Sequence, residues 1–369
     1  MAEMFENPFT PSFGEVPAIM AGRQQVISDL RKSFDSATRR PELTTLISGA
    51  RGTGKTALLA LAAEMAAARG WVVANITAVP GMLDDILERS RAAARELVAQ
   101  QSDRRVTGVG IGVAGASVNV TWDRAEHGDG NWRTQMTGLL DVLSEHGTGL
   151  LITVDEVRAS EQDLILLAAN YQQFVREGRK VGLIMAGLPH YTSALIQDES
   201  VSFLRRAHQV HLAKVPDYEV ESALRKTIIQ GGRTASDEQL ARCIESIEGF
   251  PYMLQLVGYR VWDANPFTEE ISDEDTTRGI AVAKAELRDQ ILLPTLADLS
   301  TNDREFLKAM LADEGSSAPE DIARRMGKTS SYASQYKRRL LEEGVIVPRP
   351  DGRLAFALSP MRDILREFA

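Results

Sequence analysis

Eight consecutive residues, Gly49-Ala50-Arg51-Gly52-Thr53-Gly54-Lys55-Thr56, constrain this chain more than any other feature. They fit G-x-x-x-x-G-K-[ST] in the setting that pattern requires. The apolar run Leu43-Thr44-Thr45-Leu46-Ile47-Ser48 reads as a buried strand before it, and the alanine- and leucine-rich Thr56–Ala68 reads as a helix after it. Glycines let the backbone bend so that successive N–H groups point at one anion, and the helix start adds the positive end of its dipole. Gly49, Ala50, Arg51, Gly52, Thr53, Gly54, Lys55 and Thr56 therefore read as a cradle for nucleotide phosphates. Lys55 is expected to reach the β- and γ-phosphates, and Thr56 to ligate Mg2+ through its hydroxyl.

A second motif completes the first. Gly149-Leu150-Leu151-Ile152-Thr153-Val154-Asp155-Glu156 is a buried strand ending in two acids, which is costly unless those acids meet a cation or water. Asp155 is expected to hold Mg2+ directly or through its water shell, and Glu156 to polarise an attacking water as general base. The remaining pattern alternates short apolar strands (Trp71–Ile76, Val181–Ala186, Gln209–Ala213) with helices (Gln24–Ser36, Leu83–Ala99, Trp132–Ser144, Glu161–Glu177). Such an order implies a parallel sheet covered on both faces. Between Arg105 and Asp123 the period changes to that of a hairpin around Ala114-Gly115-Ala116, either a contact element or a surface decoration. After Val215 the strands stop and Tyr218–Gln230, Asp237–Ile247, Tyr252–Ala264 and Asp275–Leu293 read as helices.

The whole-chain numbers narrow the class of protein. With 369 residues, 44% hydrophobic and 25% charged, the chain is an ordinary globular one of two or three domains. Its start is acidic, without the basic-then-apolar order of a signal peptide, and its most apolar stretch is too short to span a bilayer. One cysteine, Cys243, rules out an internal disulfide framework, so a cytoplasmic protein with no membrane partner is expected. The net charge of −9 argues against a uniformly positive coat. Locally the balance reverses: between Ile322 and Leu341 stand Arg324, Arg325, Lys328, Lys337, Arg338 and Arg339, with no acid among them.

The two phosphate motifs and the order of five strands resemble the additional-strand P-loop ATPases, specifically the AAA+ group and its STAND relatives. The resemblance implies an α/β P-loop NTPase with a five-stranded parallel sheet and a helical lid, with ATP and Mg2+ as cofactors. Ala21-Gly22-Arg23 before a helix resembles the segment beside adenine in origin-recognition-complex-like ATPases, which implies a nucleotide contact for Arg23. Phe203-Leu204-Arg205-Arg206-Ala207 resembles the segment carrying the arginine finger, so Arg206, with Arg205 as the second candidate, is either a catalytic group acting across a homo-oligomer contact or an ordinary surface or core-capping arginine. Gly249-Phe250-Pro251 resembles the Gly-x-Pro motif of the lid, and Pro251 is either near the nucleotide or simply a first-turn proline. One departure stands out: the strand Val181–Ala186 runs into Ala186-Gly187-Leu188-Pro189 where AAA+ enzymes place a polar γ-phosphate sensor, and this implies either slow turnover, suited to a timer, or a protein acting mainly as a nucleotide switch.

The last unit, Leu299–Ala369, looks like a winged helix-turn-helix. Asn302–Leu311, Ala318–Gly327 and Ser330–Glu343 form its helices, and Gly344–Pro348 with Arg353–Leu358 form a wing turning at Arg349–Gly352. For double-stranded DNA, Ser331, Ser334, Gln335 and Arg338 are candidates for base edges, with Lys337, Arg339, Arg349 and Arg353 for phosphates. The chain thus divides into an arm (1–24), an ATPase core (25–215), a helical lid and linker (216–298) and a winged helix (299–369). The expected function is a nucleotide-controlled DNA-binding ATPase switch. The alternative is a STAND-type signalling or defence ATPase whose winged helix touches protein.

Overall fold

The computed structural model describes residues 4–12, 14–106, 131–158 and 161–367. The chain divides into two compact units. One comprises residues 23–49 and 55–212, and the other residues 1–22, 50–54 and 213–369.

The first of these is built on five parallel strands, β1 (Thr44–Gly49), β2 (Val72–Thr77), β3 (Leu150–Asp155), β4 (Val181–Gly187) and β5 (His208–Leu212). Their spatial order is β2-β3-β4-β1-β5, so β1 and β3 are separated by β4. Burial explains the sequence pattern. All seven residues of β4 are buried, as are five of six in β1 and in β3, because helices cover both faces. The edge strands β2 and β5 instead alternate buried with open positions. The helix Lys55–Ala67 follows β1 and lays Leu58, Ala62 and Ala66 fully against the core, where alanines allow close approach to the strands. Trp71 anchors the edge: its indole N–H donates to the Phe34 carbonyl at 3.1 Å and its ring meets Phe34 edge-on.

Two differences from the expected elements are physical. A helix, Pro189–Gln197, and a 3-10 stretch, Glu199–Arg206, occupy a region that the sequence pattern leaves irregular. Pro189 supplies a preset first-turn φ, a start signal easily mistaken for a turn. The helix expected over Leu83–Ala99 runs Met82–Val106, taking in Arg105; the rest of the expected hairpin to Asp123 lies outside the described residues.

The other unit begins as a strap. Phe9 is buried, and its ring fills the space over Gly258 that any Cβ there would need. Asn7 donates to the Tyr259 carbonyl at 3.1 Å, and the Trp262 indole N–H donates to the Phe5 carbonyl at 3.1 Å. Beneath it lie helices Asp217–Gln230, Asp237–Ile247, Pro251–Asp263 and Asp273–Leu287. The third and fourth touch closely because Gly279 leaves room for the Val261 backbone, which a Cβ would strike. The single long helix expected over Asp275–Leu293 is interrupted by a π turn, Arg288–Leu292, before Leu293–Asp298. Pro294, which has no N–H to donate to the preceding turn, accounts for the break.

Residues beyond Leu299 form helices Thr301–Met310, Pro319–Arg325 and Ser330–Glu342, then an antiparallel pair, β6 (Ile346–Pro348) and β7 (Leu354–Phe356). Ser317 pairs with Leu354 through two 2.8 Å backbone bonds, widening the ribbon. A last helix, Met361–Glu367, has no counterpart among the expected elements; Met361, Ile364 and Leu365 bury its apolar side. Among the described residues no helix is long and apolar enough to cross a membrane.

Candidate functional site

The strand-to-helix loop takes the shape its glycines allow. Gly52 and Gly54 have φ of 75° and 87°, in the left-handed region where a side chain is strained. Thr53 is buried and its hydroxyl donates to the Ala50 carbonyl at 2.8 Å, closing the bend from inside. The ammonium of Lys55 donates to the Gly49 carbonyl at 2.9 Å, so its charge is held at the mouth of the loop. The helix that Lys55 opens has no acid in its first turn, which leaves the positive end of its dipole unneutralised for an anion.

One residue further on, the two motifs meet. The Thr56 hydroxyl donates to Asp155 Oδ2 at 2.6 Å, while Asp155 Oδ1 accepts the Glu156 backbone N–H at 2.8 Å. Glu156 itself is exposed and sits at φ 54°, the left-handed region that costs a non-glycine residue about 1 kcal/mol or more. The next residue fixes that turn, because Val157 N–H donates to the Ala186 carbonyl at 2.9 Å. Thr153 is tied in turn to Asn75 on the edge strand at 2.7 Å. A hydroxyl and a carboxylate are the hard oxygen donors that suit Mg2+, which keeps most of its water and shares phosphate ligands. Among the described residues there is no cluster of three or more His, Cys, Asp or Glu that could hold a metal ion.

The other expected nucleotide residues fall as follows. Arg23 is buried and stands just before helix Gln24–Asp35, its carbonyl accepting from Ile27. Pro251 is the first residue of its helix, and its Cβ lies 3.9 Å from where one at Gly54 would be. The loop also meets Tyr252, which the motifs do not flag: its backbone N–H donates to the Gly52 carbonyl at 3.3 Å, and burial pushes its phenol pKa up. Because the backbone makes this bond, no residue type in the sequence marks it. Arg206 is exposed and makes no ion pair among the described residues, whereas Arg205 donates to the Ile196 carbonyl at 3.2 Å. Ser48, just before the loop, shares a 2.5 Å hydrogen bond with His211 on β5.

On helix Ser330–Glu342, Ser331, Ser334, Gln335 and Arg338 are exposed, though the Ser334 hydroxyl is spent on the Ser330 carbonyl at 2.7 Å. Lys337 is half-buried and Arg349 exposed. Arg339 is committed elsewhere: it grips the buried Asp303 through two hydrogen bonds and reaches the Ser300 hydroxyl at 2.7 Å. Arg353 likewise donates to Ser316, at 3.0 Å to its hydroxyl and 2.5 Å to its carbonyl. Arg325 forks onto Asp313 at 2.6 and 2.7 Å, and that pairing holds the Asp313 carboxyl down at about 2. The basic run is thus partly neutralised by acids outside it. Glu343, at its end, is pushed up by burial and by the neighbouring Asp303.

Comparison with known proteins agrees with this geometry. A family profile described as an AAA ATPase domain matches residues 20–177, and one described as a domain of unknown function matches residues 289–365. No curated protein sequence matches. Among solved structures, a Walker-type ATPase of Pyrococcus abyssi is similar with a TM-score of 0.65 at 16% identity, covering 94% of this chain and 96% of that one. The ORC2 protein of Aeropyrum pernix, solved as ADPNP-ADP complexes, gives 0.62 at 14% identity over 99% and 97%. Cdc6p from Pyrobaculum aerophilum gives 0.50 at 15% over 96% and 95%. Identity this low speaks for the fold alone: the chain has an ORC-like P-loop ATPase fold, and residues 20–177 match the AAA ATPase domain profile.

Proposed function

We propose that this chain binds ATP with Mg2+, hydrolyses it slowly, and lets the bound nucleotide control contact with duplex DNA. In this reading residues 1–24 are a strap, 25–215 the ATPase core, 216–298 the lid and 299–369 a winged helix-turn-helix. The observation that carries it is the 2.6 Å hydrogen bond between Thr56 and Asp155, which joins the two phosphate motifs at one point. Bound Mg·ATP supplies the electrophilic phosphorus and the cation. The chain's own groups do the rest. Gly49 to Gly54 offer backbone N–H groups, and Lys55 trades its hold on the Gly49 carbonyl for phosphate oxygen. Thr56 and Asp155 would hold the cation and its water shell. Glu156, raised clear of the strand by its left-handed φ, accepts a proton from the attacking water. Arg206 completes the site of a neighbouring copy. Arg23 and Pro251 line the nucleotide.

The DNA part of this reading draws on the exposed Ser331, Gln335, Arg338 and Arg349 and the half-buried Lys337. Arg339 and Arg353 would have to leave their present partners to join them. A calorimetric titration with Mg·ATP is expected to show binding that Lys55→Ala abolishes. Well-folded protein taking up no Mg·ATP would end this reading.

A further inference from the structure

Strand order puts the end of β4 in the most demanding place in the sheet. β4 lies between β1 and β3, with Gly187 beside Ser48 and Met185 beside Val154. Whatever follows β4 therefore stands between the start of the phosphate loop and the acid pair. A polar side chain there would contact the terminal phosphate, yet this chain offers Ala186 and Gly187. Neither position can take one. A Cβ on Gly187 would lie 2.7 Å from Val157 Cγ2 and 3.0 Å from the Val157 carbonyl oxygen. Ala186 is wholly buried, so a hydroxyl or amide there would lose water without a designated partner.

The same packing brings another group to that edge. Val157 is locked to Ala186, and the next residue, Arg158, is exposed with its guanidinium 5.7 Å from the centre of the Tyr191 ring. Tyr191 is in the first turn of the helix that leaves β4, and its ring packs 3.8 Å from that of His190. Among the described residues Arg158 has no carboxylate within ion-pair distance, unlike Arg325 or Arg339. An arginine on an aromatic face keeps its five donors while losing freedom of its stem. It sits two residues beyond Glu156, on the same strand exit.

Resting on the ATPase reading above, we propose that Arg158, seated on Tyr191, makes the γ-phosphate contact that β4 cannot supply. Arg158 is then a catalytic residue and Tyr191 its positioning residue. Unlike Arg206, this cation belongs to the same chain as the bound nucleotide and needs no second copy.

The test is the affinity ratio of ATPγS to ADP, measured calorimetrically with Mg2+ on the full chain, with circular dichroism confirming each fold. The parent is expected to prefer ATPγS. Arg158→Ala should weaken ATPγS affinity by about tenfold or more while ADP binding stays unchanged, the scale of a charge-assisted hydrogen bond. Tyr191→Phe keeps the aromatic face and should keep the preference; Tyr191→Leu should weaken it. A parent with equal affinity for both, or an Arg158→Ala protein that retains the parent's preference, overturns the proposal while nucleotide binding stands. A parent that binds neither overturns the ATPase reading beneath it.

Discussion

At the carboxyl edge of the sheet, the groups a phosphate would need are held by backbone geometry. On helix Ser330–Glu342 and its surroundings they depend on side-chain charge, and much of that charge is already engaged. Gly52, Gly54 and Glu156 adopt left-handed φ values that few sequences tolerate, and the bonds of Thr53 and Asp155 keep the bends in place. By contrast, Arg325 and Arg339 answer to Asp313 and Asp303, residues that come earlier in the chain than the basic run. A site defined by chain conformation can be trusted from a short motif. A site defined by counting cations cannot, because acids outside the run, Asp303 and Asp313 among them, take up part of the charge.

The widest separation between the two regions should come from Glu156→Gln. Hydrolysis is expected to fall by about 100-fold or more with Mg·ATP affinity retained, as follows from removing a general base. Full turnover in that variant, followed by phosphate release, would take the base role from Glu156. Next comes the pair that the basic run hides. Asp303 is buried, closes a capping box with Ser300 and binds Arg339, so Asp303→Ala should cost about 3 kcal/mol in urea unfolding. Arg339→Ala should also lower the unfolding midpoint yet leave the salt dependence of duplex binding alone. Should it flatten that dependence with the midpoint unchanged, Arg339 works for DNA and the contrast between the two regions dissolves.

A smaller effect is expected from Lys337→Ala with Arg338→Ala. Stability should hold, while the slope of log affinity against log salt falls by about 0.9 for each phosphate these side chains neutralise. An unchanged slope in a mobility-shift series at several salt concentrations removes these residues from the interface. The smallest effect concerns acid. The Asp313 carboxyl is held at about 2 by Arg325, below the ordinary 3.8. A folded-state pKa lowered in this way gives stability that is full above 3.8 and drains away as pH falls toward 2. Arg325→Ala should therefore show a shallower loss of stability between pH 4 and pH 2 than the parent. Because the pair lies at the surface the difference will be modest. Identical pH profiles would mean the pairing contributes nothing.

What the sequence makes legible follows the same divide. The five strands are visible because central parallel strands must be apolar throughout, and Gly49–Thr56 because its chemistry demands glycine, lysine and threonine at fixed spacing. Element ends move by a residue or two, as with Lys55 opening its helix where the pattern puts Thr56. The helices Pro189–Gln197 and Met361–Glu367 escape because each is short and begins in a turn-like run, Leu188-Pro189 and Ser359-Pro360. Tyr252 against Gly52 and Arg158 over Tyr191 are invisible for a different reason. Both are contacts between segments far apart in sequence, and neither residue type announces a partner.

The strap has a consequence for how the protein reaches this state. Asn7 bonds to Tyr259, 252 positions later, and Phe9 covers Gly258. During synthesis the opening residues leave the ribosome long before the helix they cover exists, and closing so long a loop is entropically slow. Phe5 and Phe9 must therefore wait in water, unsatisfied, until residue 263 has emerged, and the Pro251–Asp263 helix gains its final cover only when the two ends of that span meet.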